Sequence, residues 1–89
     1  MNKTQLHKNI CNYLTETYES KNKDYGDSFS KQFQEYGLIS SAIRLEDKLS
    51  RFKNLIKNEA QVKDESIEDT LLDMANYAIL TVMELRDGK

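Results

Sequence analysis

Apolar and polar residues alternate along this chain with the period of an α-helix over most of its length. From Thr4 to about Lys21 the positions Leu6, Ile10, Tyr13, Leu14, Thr17 and Tyr18 recur at steps of three and four, one stripe of one helix, with Asn2 or Thr4 available to cap it. The run Lys21-Asn22-Lys23-Asp24-Tyr25-Gly26-Asp27-Ser28 interrupts the pattern with turn-forming residues and is expected to be the loop of the first half. A short helix from about Phe29 to Tyr36 follows, capped by Asp27 or Ser28, and Gly37 marks a break. Leu38, Ala42, Leu45, Leu49, Phe52 and Ile56, widened by Ile39, Ile43 and Leu55, predict a long helix from Leu38 to Lys57. Residues 58–65 are polar and form a connection. The last helix is expected to start at Ser66, with Asp69 three positions on as its capping acid, and to bury Ile67, Leu71, Met74, Ala78, Thr81 or Val82, and Leu85.

The pattern predicts an all-α fold of three long helices and one short one, a single helical domain over residues 1–89. The arrangement is an antiparallel bundle completed by oligomerisation, because one apolar stripe has few partners within the chain. A chain of 89 residues buries only about 60–65% of the surface its unfolded form exposes, which also favours a partner subunit. Proline is absent and helix formers are common, consistent with this reading.

Composition narrows the choices further. No apolar run approaches the ~20 residues of a membrane span, and the first residues lack the apolar stretch of a signal peptide, so a cytoplasmic protein is expected. The single cysteine, Cys11, cannot form an internal disulfide and reads as a buried or half-buried thiol in a reducing compartment. His7, the only histidine, reads as a surface residue of the first helix with no cysteine near it. Thirteen basic against fifteen acidic residues give a net charge of −2, which speaks against a DNA or RNA duplex or an anionic membrane as partner.

The charges are unevenly placed. Arg44, Lys48, Arg51, Lys53 and Lys57 make the middle helix basic, with Glu46 and Asp47 as its acids between Arg44 and Lys57. Asp64, Glu65, Glu68, Asp69 and Asp73 make the start of the last helix acidic. If the two helices lie antiparallel, these segments face each other, either as an interhelical ion-pair lattice or as a site. In the second case Asp69, Asp73 and Asn76, at i, i+4 and i+7, share a face. The two carboxylates, with Asp47 or Glu46 as a third, form a candidate Mg²⁺ cradle, since that ion takes oxygen ligands and keeps waters for phosphate contact. Lys48 and Arg51 would then touch phosphate oxygens. Each residue also has a plainer role open to it: Asp69 as a cap, Asp73 as a bridge to the middle helix, Asn76 as a core hydrogen bond. Backbone amides around Gly26, with Lys23 and Ser28, could hold a phosphate, and Tyr25 could stack on a base. No Walker loop, zinc pattern or Ser/His/Asp set occurs, and no catalytic residue is assigned.

Three stretches together carry a resemblance: Lys21 to Phe29 with its Asp24-Tyr25-Gly26, Arg44-Leu45-Glu46-Asp47-Lys48-Leu49-Ser50-Arg51, and Asp69-Thr70-Leu71-Leu72-Asp73-Met74-Ala75-Asn76-Tyr77. From about residue 18 to 85 the sequence resembles the nucleotide-modification-associated domain 1 family, small proteins of bacteriophages and prophages. A more distant likeness is to the MazG-like all-α nucleoside-triphosphate pyrophosphohydrolases, from which the chain departs. Glu46 lacks an E-x-x-E partner, and Thr70 stands three positions before Asp73 where a glutamate is usual.

The resemblance implies a link to nucleotide metabolism or modification in phage-infected bacteria. With the residues above, it leads to the expectation of a cytoplasmic phage protein that binds a phosphorylated nucleotide, with or without Mg²⁺-dependent pyrophosphohydrolysis. The binding residues would be Lys23, Asp24, Tyr25, Gly26, Ser28, Arg44, Lys48, Arg51, Asn76 and Tyr77, and the metal residues Asp47, Asp69 and Asp73. The alternative is a non-enzymatic anti-defence protein that sequesters a signalling nucleotide or inhibits a host protein.

Overall fold

The computed structural model describes residues 2–25, 27–58 and 64–87. The described residues are all-α: α1 spans Lys3–Tyr25, α2 Ser28–Tyr36, α3 Leu38–Lys57 and α4 Asp64–Asp87. Asn2 caps α1, its Oδ1 accepting the Gln5 backbone N–H at 2.7 Å. The helix then continues through the segment expected to be a loop, so Lys21, Asn22, Lys23, Asp24 and Tyr25 are helical. Poor helix propensity at Asn and Asp amounts to only a few tenths of a kcal/mol per residue. Lys21 and half-buried Asn22 face α4 while Lys23 and Asp24 are exposed, and a cost this small is met by extending a helix already nucleated. Gly26 and the Tyr25 side chain lie outside the described residues.

Asp27 occupies the N-cap position of α2, but its carboxylate makes no capping bond; its backbone carbonyl accepts Lys31 N–H at 3.1 Å. The break at Gly37 is a single residue with φ 72° and ψ −157°, a region essentially reserved for glycine. Its N–H donates to Phe33 O at 2.6 Å, and its carbonyl accepts from both the backbone N–H (3.1 Å) and the hydroxyl (2.8 Å) of Ser40. One reversed residue therefore ends α2 and begins α3 with little loss of hydrogen bonding. The far end of α3 closes on Asn58, whose backbone and side-chain amides both donate to Asn54 O.

The α4 helix begins two residues before the expected Ser66, so Ser66 is an internal residue of its first turn rather than a cap. Neither its side chain nor residues 59–63 of the connection are among the described features.

Helices α3 and α4 form the most extensive packed pair. They run antiparallel: Arg51 meets Thr70, Lys48 meets Asp73 and Arg44 meets Tyr77, so each step down α3 matches a step up α4. Phe29 brings α2 into this pair by stacking on Tyr77, and Arg44 Nε donates to Gln32 Oε1 at 2.8 Å. Against α4, the contribution of α1 includes buried Leu14, whose backbone carbonyl accepts from Asn76 Nδ2 at 3.2 Å.

The apolar stripes are only partly covered. Among the described residues the buried apolar side chains are Leu14 and Phe29, alongside the small polar Ser40, Ser41 and Thr70. The stripe of α3 divides: Leu45, Phe52 and Leu55 are half-buried, whereas Leu38, Ala42, Leu49 and Ile56 are exposed. The stripe of α4 divides in the same way, with Leu71, Ala78, Val82 and Leu85 exposed. Cys11 is exposed, contrary to expectation: residues 2–13, the N-terminal half of α1, are all exposed, and burial begins at Leu14. His7 is exposed as expected, but it does have a cysteine beside it: its Nδ1 lies 3.6 Å from Cys11 Sγ, one helical turn along. No helix among the described residues is long and apolar enough to cross a membrane.

Candidate functional site

A cleft of about 250 Å³ opens where α1, the start of α2, α3 and α4 converge. Tyr18, Lys21 and Asn22 line it from α1, Asp27, Ser28 and Phe29 from the α1–α2 junction, Arg44 from α3, and Asp73, Asn76, Tyr77 and Leu80 from α4. The contribution of α4 follows from its period, since Asp73, Asn76, Tyr77 and Leu80 are spaced three, one and three apart and so share one side.

Asp73 is the electrostatic centre. Lys48 Nζ lies 2.9 Å from its Oδ2 and Lys21 Nζ lies 3.4 Å from its Oδ1, so two ammonium groups from different helices share one carboxylate. That trio has a net positive charge. Lys48 and Asp73 are mostly screened, whereas Lys21 is 58% exposed and adds little stability through this pair.

Beside them the Phe29 and Tyr77 rings stack, with centroids 6.1 Å apart and planes 18° from parallel. The Arg44 guanidinium lies 5.1 Å from the Phe29 centroid and 5.5 Å from that of Tyr77. Arg44 thus has its cationic carbon held against two aromatic rings and its Nε spent on Gln32, an arrangement that a lysine could not reproduce.

A second opening of about 250 Å³ shares Lys21, Asp73 and Asn76 with the first and adds Tyr13, Thr17, Asp69 and Leu72. Asp69 therefore stands on the same side of α4 as Asp73 but one turn back.

Of the residues singled out from sequence, the first cleft unites Ser28, Arg44, Asp73, Asn76 and Tyr77, and Lys48 joins through Asp73. Arg51 is one turn further along α3, where its Nε donates to Thr70 Oγ1 at 3.2 Å. Lys23 and Asp24 are exposed on α1, and Asp47 and Glu46 are exposed on α3; none of the four lines either opening. Among the described residues no group of three or more His, Cys, Asp or Glu side chains stands close enough to hold a metal ion.

Tyr18, Lys21, Asn22, Phe29 and Leu80 were not singled out. Lys21, Asn22 and Phe29 all lay within the quoted motif, but reading that segment as a loop hid the helical spacing that aims Tyr18, Lys21 and Asn22 to one side.

A four-helix fold whose polar and aromatic cleft is built from three separate sequence stretches thus defines the class of the protein. Residues 21–85 match the family described as nucleotide modification associated domain 1, and the chain belongs to that family. No curated protein and no solved structure matches it.

Proposed function

We propose that the cleft binds a phosphorylated nucleotide. The observation that carries this reading is the convergence of Lys21 and Lys48 on Asp73 beside the stacked Phe29 and Tyr77 rings. Phosphate oxygens would compete with the Asp73 carboxylate for the two ammonium groups, with Arg44 adding positive charge at the wall. The apolar surface of Tyr18, Phe29, Tyr77 and Leu80 suits a base or sugar, for which aromatic faces are sequence-tolerant platforms. Membership in a family associated with nucleotide modification supports the same ligand class.

Binding is better supported than turnover. Both oxygens of Asp73 face lysines, and Asp47 lines neither opening, so the described carboxylates do not fit a resident Mg²⁺. In this reading any Mg²⁺ arrives with a polyphosphate; Asp27 lines the cleft with Asp73, and Asp69 lines the adjoining opening with it. The reading thus favours the sequestering version, in a phage-encoded setting within the bacterial cytoplasm, over a MazG-like pyrophosphohydrolase. The exposed apolar faces of α1, α3 and α4 support a homo-oligomer and would equally serve a host-protein partner.

The test is incubation with a panel of dNTPs, NTPs and cyclic nucleotides, with and without Mg²⁺, followed by chromatography of bound and released species. Tight binding with the nucleotide returned unchanged is the expected result. Release of pyrophosphate or a monophosphate would restore the enzyme reading, and no binding of any member would overturn nucleotide recognition at this cleft.

A further inference from the structure

We infer that the outward face of α4 is a two-fold, antiparallel seam with a second copy of this chain. The inference is independent of what the cleft binds. It starts from how open the protomer is. The chain exposes 7081 Å², whereas a compact monomer of 10.4 kDa exposes about 5,400 Å² by the usual mass scaling. The excess, roughly 1,700 Å² per chain, lies within the range that obligate interfaces cover on each partner. The radius of gyration agrees: it is 14.6 Å, against about 12 Å for a compact chain of this length.

The exposed apolar area is shared among α1, α3 and α4, and α4 offers a seam for part of it. Leu71, Ala75, Ala78, Val82 and Leu85 are spaced four, three, four and three, the heptad seam of a coiled coil without a polar interruption. Leu71, Val82 and Leu85 are 43%, 45% and 46% exposed, far more than an interior seam would be. The equivalent line on α3 passes through exposed Glu46 and Lys53, which would be costly to bury. The cleft lies on another side of α4, so pairing leaves it open.

Pattern and charge both select the antiparallel arrangement. The seam reads nearly the same in either direction about Ala78, so a two-fold axis there sets Leu71 against Leu85 of the other copy and Ala78 against itself. Small residues at the centre let the helices approach, and large ones close the ends, as a self-complementary interface requires. Exposed Glu68 continues the line one heptad before Ala75, at one end of the seam, and exposed Arg86 lies beside Leu85 at the other. Antiparallel pairing about Ala78 brings each Glu68 to the end of the other helix that carries Arg86, whereas parallel pairing would set Glu68 against Glu68.

Sedimentation velocity at micromolar chain concentration should give wild-type protein the mass of two chains or an even multiple, and Ala78→Glu should fall to a smaller assembly or one chain while circular dichroism stays helical. Wild-type protein sedimenting as one chain, or a folded Ala78→Glu with unchanged mass, would overturn the seam. Should Ala78→Glu fail to fold, cross-linking decides. In a Cys11→Ser background, mixed Leu71→Cys and Leu85→Cys chains should form the mixed disulfide. Absence of that species, or a preference for Leu71–Leu71 pairs, would overturn the antiparallel arrangement.

Discussion

Two sides of α4 differ in character although they belong to the same helix. The inward side carries Thr70, Asp73, Asn76 and Tyr77, and each makes a specific polar or ring contact with α1, α2 or α3. The outward side carries Leu71, Ala78, Val82 and Leu85, with much of each side chain left in solvent. Apolar residues inside and polar residues outside is the usual arrangement, and here it is nearly reversed. The polar side spends directed groups on contacts with the other helices, and the apolar side is the surface that the proposed seam would cover.

The sharpest way to break this comparison is to truncate one apolar side chain on each side. Leu14→Ala removes the buried aliphatic contact of α1 and should cost about 2–5 kcal/mol in chemical denaturation. Val82→Ala, measured at a chain concentration low enough to dissociate assemblies, should cost less than about 1 kcal/mol because its side chain is already half in water. Equal costs would erase the distinction.

Gly37→Ala should cost about 1–3 kcal/mol, measured by the denaturation midpoint, because the backbone there adopts a conformation that disfavours a side chain. Nothing stands within 4 Å of the added methyl group, so the cost is conformational rather than steric crowding.

Arg44→Lys keeps the charge but loses the flat contact with Phe29 and Tyr77 and the Nε bond to Gln32. A loss of about 1–2 kcal/mol is expected from these contacts, with the melting temperature as the readout and Arg44→Ala as the harsher control.

The smallest stability effect belongs to Lys21→Ala, about 0–1 kcal/mol for so exposed an ion pair. Its effect on nucleotide affinity should be larger, roughly tenfold or more, as a charge-assisted bond to phosphate is lost. Calorimetric titration of both proteins at two salt concentrations measures this, and unchanged affinity would remove Lys21 from the site.

The fold was largely legible in the pattern of residues. Gly37 and the apolar spacing after it located α3 from Leu38 to Lys57, and α2 differed by one residue at its start. The candidate cleft was legible in part. Asp73 and Asn76 stood out because they share one side of the last helix, Arg44 as one of the bases of the middle helix, and Tyr77 through the motif that carries the resemblance. Tyr18, Lys21 and Asn22 did not, because Asn, Asp and Gly within Lys21–Ser28 have the composition of a turn, and only the continuation of α1 to Tyr25 sets them on the cleft.

The partial burial of the α3 and α4 stripes was also beyond a single helix's pattern. A stripe widened by Ile39, Ile43 and Leu55 spans more than one side of α3, and periodicity alone does not say which part meets a neighbour.

Local preference and the 3.6-residue period thus determined the helices, their order and the break at Gly37, since those depend on residues within a few positions of one another. The tertiary structure decided which side of each helix faces the cleft and that Lys21 and Lys48 converge on Asp73. Those outcomes depend on how helices distant in sequence are placed, and on long side chains reaching from one to another. At Lys21–Tyr25 the extension of an already formed helix outweighs the small intrinsic preferences of the residues themselves.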